Sequence, residues 1–280
     1  MAGKEQDHWS SQAYQNSASF VPKLATKVLE WLDVQKDDLI LDIGCGDGVL
    51  NLQIAQTLSQ GTGKIHGVDS SPSMISSAQN AASADLAASK TCTFEVLDAT
   101  SLRSKPELQK ADFDKVFSNA AMHWILRPES KRKSFFVGVR ESLKPGGKFV
   151  FEMGGMGNVA EMRTAFLSVI GRKIGIEKVR EIDPWFFPDE VWMTKMLEEE
   201  VGGWKVERIE REYRPTKADK GGIEGWVKLM GKQFLDVLGE GEERKESEGE
   251  VCEVLKTVCE SPGGGEWLGY VRLRAIVRKL

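Results

Sequence analysis

An apolar run that stops abruptly at alternating glycines, over residues 38–48, constrains this chain more than any other feature. Its apolar residues are typical of a strand that is covered on both faces. Gly44, Gly46 and Gly48 permit a tight turn and let a ligand approach bare backbone. Residues 49–58 then predict a helix whose first amide groups point back toward that ligand. The pattern therefore predicts a buried strand that ends in a ligand-binding loop.

The spacing of these glycines separates two cofactor classes. A dinucleotide site requires G-x-G-x-x-G, whereas here the third glycine comes one residue early and Val49 occupies the expected position. The next predicted strand, residues 64–68, ends at Asp69, whose carboxylate can accept hydrogen bonds from both hydroxyls of a ribose. Two other interpretations stay open here: a glycine-rich turn without a ligand, and an aspartate that caps the helix after it.

The composition is that of an ordinary globular protein, and it limits the function classes. A net charge of −4 and a pI near 5.6 argue against nucleic-acid binding, which usually leaves a basic surface. No apolar run approaches the roughly 18 residues that cross a bilayer, and the N-terminus lacks the apolar core of a signal peptide. We therefore expect a cytoplasmic protein without membrane or nucleic-acid partners, as a monomer or a weak dimer.

The cysteines indicate neither a metal site nor a disulfide framework. Cys45, Cys92, Cys252 and Cys259 show no C-x-x-C spacing, and no histidine cluster lies near them in the sequence. No metal is therefore expected. Cys45 lies within the glycine loop, where we interpret it as a small side chain that fills space.

Strand and helix patterns alternate through the first half of the chain. Predicted strands lie near residues 38–43, 64–68, 92–96, 113–118 and 147–153. This alternation predicts a Rossmann-like, mostly parallel, doubly wound sheet. Ligands of such sheets bind beyond the carboxyl ends of the strands. The loops that follow these strands should therefore meet in one crevice.

Three parts of the chain are predicted. Residues 1–36 form an N-terminal arm and helix over the cofactor site, residues 37–156 form the cofactor-binding core, and residues 157–280 add helical lid insertions and the last two strands. Residues 205–214 and 270–279 alternate apolar with charged residues, which predicts two exposed antiparallel strands at the sheet edge. The glutamate-rich run 239–250 is interpreted as a mobile linker.

Two further strand ends carry candidate site residues. Asp98 and Ala99 follow the third strand, where an aspartate can accept from an adenine amino group or cap a helix. After the fourth strand comes the run Ser118-Asn119-Ala120-Ala121-Met122-His123-Trp124, in which small residues precede large polarisable ones. The reactive end of the cofactor and the acceptor are expected to meet at this run.

Five motifs in order resemble the class I S-adenosylmethionine-dependent methyltransferases, and within them the trans-aconitate methyltransferase-like group. They are Asp42-Ile43-Gly44-Cys45-Gly46-Asp47-Gly48, Gly67-Val68-Asp69-Ser70-Ser71-Pro72-Ser73-Met74-Ile75, Asp98-Ala99, the Ser118–Trp124 run and Leu143-Lys144-Pro145-Gly146-Gly147. The resemblance implies S-adenosylmethionine as cofactor and contacts to it from Asp42, Gly44, Cys45, Gly46, Gly48, Asp69, Ser70, Met74, Asp98, Ala99, Asn119 and Ala120. The trans-aconitate enzyme has glutamine where this chain has His123.

We expect methyl transfer to a small-molecule acceptor, first of all O-methylation of a small carboxylic acid. An ionised carboxylate needs no base, whereas a phenol, thiol or protonated amine must lose a proton. His123 is the candidate base or acceptor-orienting donor, unless it is only structural. Residues that could form the acceptor wall, or plain core, are Tyr14, His123, Trp124, Trp192, Trp226 and Met230. Two alternatives are methylation of N, S or C in a specialised metabolite, and a non-methylating binding or rearrangement protein that keeps the pocket.

Overall fold

A computed structural model describes residues 25–280 of the chain. The strands are β1 (Leu39–Ile43), β2 (Lys64–Asp69), β3 (Cys92–Val96), β4 (Phe113–Asn119), β5 (Leu143–Gly154), β6 (Trp204–Lys217) and β7 (Trp267–Lys279). They form one sheet in the order β3-β2-β1-β4-β5-β7-β6, in which β7 alone runs opposite to the other six strands. This is the Rossmann-like, mostly parallel sheet that the strand and helix alternation predicts.

Helices cover both faces of the sheet. The α-helices are α1 (Thr26–Leu32), α2 (Val49–Leu58), α3 (Pro72–Ala84), α4 (Ala88–Thr91), α5 (Met122–Ile125), α6 (Glu129–Ser142), α7 (Ala160–Ile174), α8 (Ile176–Ile182), α9 (Glu190–Lys195), α10 (Gly222–Met230), α11 (Lys232–Asp236) and α12 (Glu242–Cys259). Short 3₁₀ helices span Ala99–Ser104 and Pro106–Leu108, and a π-helical turn spans Met196–Val201. No helix within residues 25–280 combines the length and apolar composition that a membrane span requires.

Three larger apolar clusters hold these layers together. One joins α6 to the face of β1, β4, β5 and β7, and a second joins α1 and α2 to the opposite face. The third lies among α7, α8, α10, α11 and α12 and the first residues of β7. Most of the helices that follow β5 in the chain therefore share a second core beside the strand ends.

The predicted edge strands required a correction. Both strands pair antiparallel as expected, and β6 is the partly exposed edge strand, but β7 lies between β5 and β6 with most of its side chains buried. Buried charges on β7 explain the difference: Arg272 and Arg274 are paired with the equally buried Glu152 of β5. Charged side chains at alternate positions therefore did not mark a solvent-exposed face here.

The linker predicted over residues 239–250 is wrong, because most of it belongs to helix α12. Val251 and Leu255 on this helix are fully buried against the helical cluster. Its glutamates face outward, and one of them, Glu250, pairs with Arg172 of α7. Of the predicted N-terminal arm and helix, residues 1–24, which include Tyr14, lie outside the described residues, while α1 packs against the sheet and does not line the cavity described below.

Candidate active site

A cavity of about 1050 Å³, its open mouth included, lies beyond the carboxyl ends of β1, β2 and β4. Of the residues for which cofactor contacts were predicted, those that line it are Gly44, Gly46, Asp69, Ser70, Met74, Asp98, Ala99, Asn119 and Ala120. Asp42, Cys45 and Gly48 do not line it. We call the side formed by the lining residues up to Ala121 the cofactor half, and the side formed by His123 and later residues the acceptor half.

The glycines of the loop after β1 have different structural reasons. Gly44 has φ +74°, and a Cβ placed there would lie 2.2 Å from the Cβ of Ala121. Gly46 has φ +57° and no atom within 4 Å of such a Cβ, so its backbone faces open space at the cavity. Gly48 instead precedes α2, and a Cβ there would lie 2.9 Å from that of Ala78. Gly44 and Gly46 therefore shape the cavity, while Gly48 permits helix packing behind it.

Asp69 at the end of β2 holds the loop and the next helix together. Its Oδ2 accepts a hydrogen bond from the Gly46 amide at 3.0 Å, and its Oδ1 accepts one from the Ser71 amide at 2.9 Å. The cap of α3 is Ser71, whose hydroxyl accepts from the Met74 amide. The Asp69 carboxylate also lines the cavity, where it is an acceptor type that suits ligand hydroxyls.

Asp98 caps a helix, as one of the two interpretations predicted, and it also lies at the cavity, where the predicted contact to adenine remains a prediction. Its Oδ1 accepts a hydrogen bond from the Thr100 amide at 2.8 Å, which caps a 3₁₀ helix, and the residue also lines the cavity. Ala99, beside it, is buried in the cavity wall. The two carboxylates that face the cofactor half, Asp69 and Asp98, are thus positioned by their own backbone contacts.

Asp42 and Cys45 lie behind the cavity wall. Asp42 is only 2% exposed, and burial raises the pKa of its carboxyl to about 8. Burial likewise raises the pKa of the Cys45 thiol well above its ordinary value. A thiol with a raised pKa is a poor nucleophile, which agrees with a space-filling role for Cys45.

His123 on α5 is held in a fixed orientation at the boundary of the two halves. Its Nδ1 accepts a hydrogen bond from the Gly154 amide at 3.3 Å. Its ring lies 5.6 Å from that of Trp124 and 5.7 Å from that of Phe187, measured between centroids. Burial, with a smaller effect from the charge of Arg272, lowers the pKa of His123 well below its ordinary value. The ring is therefore neutral near pH 7.

Aromatic side chains form most of the acceptor half. Of the residues predicted to form the acceptor wall, Trp124, Trp226 and Met230 line this half. Trp192 lies outside it and packs edge-on against Phe186, with 4.8 Å between the ring centroids. Further lining residues that the sequence interpretation missed are Asn158, Val159, Trp185, Phe187, Tyr270 and Arg272. The aromatic turn at residues 183–188 was a visible signal for two of them.

Arg272 is the charged member of this set. Its Nε donates a hydrogen bond to Glu152 Oε1 at 2.9 Å, and both side chains are almost fully buried. Within the described residues, no other hydrogen bond of its guanidinium group is found, so its terminal nitrogens are available at the cavity wall. Two arginines that do not line the cavity have other partners: Arg127 donates to the Asp183 carbonyl, and Arg163 pairs with the Asp183 carboxylate.

Comparison with known proteins decides the family. A family model described as "Methyltransferase domain" matches residues 35–179. The chain belongs to the class I S-adenosylmethionine-dependent methyltransferases. An uncharacterized methyltransferase of Schizosaccharomyces pombe is 35% identical to this methyltransferase over 277 residues, which cover 98% of this chain and 99% of the relative.

Two shorter or more distant similarities agree with that family. Trans-aconitate 2-methyltransferase of Pseudomonas paraeruginosa is 34% identical over 77 residues, 28% of this chain and 27% of that protein. The crystal structure of a putative methyltransferase from Bacillus halodurans superimposes with a TM-score of 0.60 at 15% identity, covering 92% of this methyltransferase and 99% of that chain. These findings confirm the methyltransferase family that the five motifs indicated. They also confirm the Rossmann-like fold and the cofactor class.

The cofactor half fits S-adenosylmethionine. Gly46 leaves open the space that a side chain would fill, and Asp69 and Asp98 offer acceptors for ribose hydroxyls and an adenine amino group. Met74, buried at the start of α3, offers an apolar contact for a flat ring. These residues would hold the cofactor of this methyltransferase.

Proposed function

We propose that this methyltransferase acts on a small molecule and methylates a carboxylate oxygen of an acid with an apolar body. One observation carries the proposal: the buried Arg272 guanidinium in the largely aromatic wall of the acceptor half. Arginine binds carboxylates through two parallel N–H donors, and a site of low polarity strengthens that contact. A methyltransferase of trans-aconitate among the relatives supports an acid as acceptor.

The shape of the acceptor half supports a partly apolar acceptor. Trp185 stacks on Phe187 with centroids 5.9 Å apart and lies 6.1 Å from Trp226. The Trp226 indole N–H donates to the Tyr270 hydroxyl at 2.7 Å, which fixes both side chains. An aromatic wall of this kind excludes water and accommodates flat or aliphatic groups.

The chain would contribute binding and orientation to the reaction. Asp69, Asp98 and the Gly44–Gly46 backbone would hold the cofactor, while Arg272 would hold the acceptor's anionic group. When bound, S-adenosylmethionine would supply the methyl group: the bond from methyl to sulfur would break with its electron pair left on sulfur, and a carboxylate lone pair would form the new O–C bond. Since an ionised carboxylate carries no proton, the residues of the acceptor half need only position it and exclude water.

A screen for methyl transfer tests this proposal. The purified protein is given S-adenosylmethionine and a panel of small acids, phenols, thiols and amines, and products are detected by the mass of one added methyl group. We expect methyl esters of acids with an apolar body. Transfer only to amines, thiols or phenols would contradict the proposed acceptor class.

An arginine pair adds a matched control. Arg272→Gln is expected to raise KM for the acid about tenfold to hundredfold, since it removes a charged hydrogen-bond donor, with Kd for S-adenosylhomocysteine unchanged. Arg278→Gln on the same strand changes an exposed arginine that pairs with Glu207, and should change neither constant. Equal effects of the two substitutions would remove Arg272 from acceptor binding.

A further inference from the structure

His123 can serve as a base only if a nitrogen with a free lone pair faces the acceptor. The neutral imidazole ring has one nitrogen that donates and one that accepts. Nδ1 already accepts the hydrogen bond from the Gly154 amide, so it carries no proton and its lone pair is used. The proton of the neutral ring consequently lies on Nε2.

Nε2 is the nitrogen left for a ligand. Within residues 25–280, no protein group is bonded to Nε2, and His123 lines the cavity. The opposite tautomer would turn an Nδ1 proton toward the Gly154 N–H, placing two donors against each other in a buried site. The backbone amide of β5 therefore specifies one tautomer.

The surroundings of the ring favour the neutral form. Arg272 on β7 is the charged side chain that acts on the ring electrostatically, and its positive charge opposes a second positive charge on the imidazole. The groups that contact the ring from α5 and from the 183–188 turn are aromatic, namely Trp124 and Phe187. No carboxylate among the described residues is placed to stabilise an imidazolium here.

We infer that His123 is a fixed hydrogen-bond donor through Nε2, which positions the acceptor's anionic oxygen and selects acceptors that are already ionised. The inference rests on the proposed function for its acceptor, but the state of the ring does not depend on it. An acceptor that must lose a proton finds no lone pair on this ring. A carboxylate, which needs only donors, finds Nε2–H and the Arg272 guanidinium lining the same cavity.

Nitrogen NMR of the full chain labelled with ¹⁵N-histidine tests the state of the ring. The chain has three histidines, so the His8→Gln and His66→Gln variants assign the His123 signals by elimination. With S-adenosylhomocysteine present and no acceptor, we expect a protonated Nε2 and an unprotonated Nδ1 from pH 6 to pH 8. An Nδ1–H tautomer, or a ring that titrates near its ordinary pKa, would overturn the inference.

Kinetics separate a donor from a base and from a merely structural residue. With the acid from the screen, kcat/KM of the wild type should show no histidine ionisation between pH 6 and pH 8. His123→Gln, whose amide can accept from Gly154 and donate to the acceptor, should keep most of the activity, and His123→Leu should lose about tenfold to hundredfold, mainly in KM. A wild-type rate that rises with an apparent pKa near 6.5 and loses this dependence in His123→Gln would show a base.

The two experiments fail independently. If no acid is methylated, the proposed function fails, while the NMR result still decides the tautomer. If an acid is methylated but His123 is a base or His123→Leu is fully active, the inference fails and the proposed function stands.

Discussion

The two halves of the cavity are built by different means. The cofactor half comes from loops that directly follow β1, β2, β3 and β4, and it consists largely of backbone, small residues and two aspartates. The acceptor half gathers side chains from α5, α10, β7 and the 183–188 turn, and its ion pair joins Glu152 to Arg272 across 120 residues. A cofactor site that is built from local turns can be recognised as sequence motifs. An acceptor site that is built from side chains far apart in the chain cannot.

The largest expected effect is on the free energy of unfolding, and it concerns Glu152, the ion-pair partner of Arg272 in the acceptor half. Glu152 is 2% exposed and pairs with Arg272, Arg274 and Arg214. Glu152→Gln leaves three arginines without their shared carboxylate, which is expected to cost about 3–5 kcal/mol in the free energy of unfolding. Urea unfolding at pH 7 measures this cost. Glu207→Gln, which affects the exposed pair with Arg278, is the control and should cost at most about 1 kcal/mol.

The same carboxylate gives the wild type a defined acid dependence. Burial raises the pKa of Glu152, but the charges of Arg272, Arg214 and Arg274 outweigh it and hold the pKa below its ordinary 4.5. A lowered folded-state pKa contributes stability above pH 4.5 that is lost as the pH falls through the folded-state value. Glu152→Gln should lack this part of the acid-side loss. Equal unfolding costs in Glu152→Gln and Glu207→Gln would contradict the structural role of the buried cluster.

The second prediction concerns the cofactor half. Gly44→Ala places a Cβ 2.2 Å from that of Ala121 at φ +74°, so the loop must move. We expect about a hundredfold weaker binding of S-adenosylhomocysteine by calorimetry, about 2.7 kcal/mol. Gly146→Ala has nearly the same φ, +75°, but no atom within 4 Å of the new Cβ, and it should leave binding unchanged. Equal losses in both variants would mean that backbone strain alone determines binding.

The sheet could be predicted from the sequence because the pattern that marks each strand is local. Strands β1 to β5 each carry apolar residues within a few neighbouring positions, and glycine or aspartate ends or follows several of them. Placement of Gly44, Gly46, Asp69 and Asp98 at the cavity follows from this topology alone. Glycine is required at position 48 for a different reason, because the backbone there passes close to Ala78.

The sequence did not reveal contacts between residues that lie far apart in the chain. Arg272 in an alternating strand looked solvent-exposed, because nothing near it in sequence reveals Glu152. Trp192 and Trp226 both lie in helical apolar patterns, yet only Trp226 reaches the cavity. A periodic pattern shows that a side chain is buried, but it does not show which group that side chain contacts.

The third prediction tests a carboxyl buried beneath the cofactor half. Burial raises the pKa of Asp42 from 3.8 to about 8, so the folded chain keeps a proton that the unfolded chain has released. This contribution to stability is fully present below pH 3.8 and is lost as the pH rises through about 8. Between pH 6 and pH 8 the wild type should therefore lose about 2 kcal/mol from this group.

Asp42→Asn should remove that alkaline loss, because the amide resembles the protonated acid in shape and stays neutral. Urea unfolding at pH 6 and pH 8 measures the difference for each protein. Asp112→Asn changes an exposed aspartate and is the matched control, which should behave like the wild type. A loss in Asp42→Asn as large as that of the wild type would show that another group causes the pH dependence.

The smallest expected effect is on KM for the acid, and it tests whether Trp226 acts as a wall residue of the acceptor half or only as core. Trp226→Phe keeps an aromatic ring but removes the indole N–H that donates to the Tyr270 hydroxyl at 2.7 Å. A lost hydrogen bond of about 1 kcal/mol, felt through a wall residue, should raise KM for the acid about fivefold. Trp192→Phe, which alters a ring packed on Phe186 outside the cavity, should leave KM unchanged. Since neither ring belongs to the cofactor half, calorimetry with S-adenosylhomocysteine should give the wild-type Kd for both variants. A weaker Kd in Trp226→Phe alone would show that its ring also supports cofactor binding, and the division of the cavity into two independent halves would then be wrong.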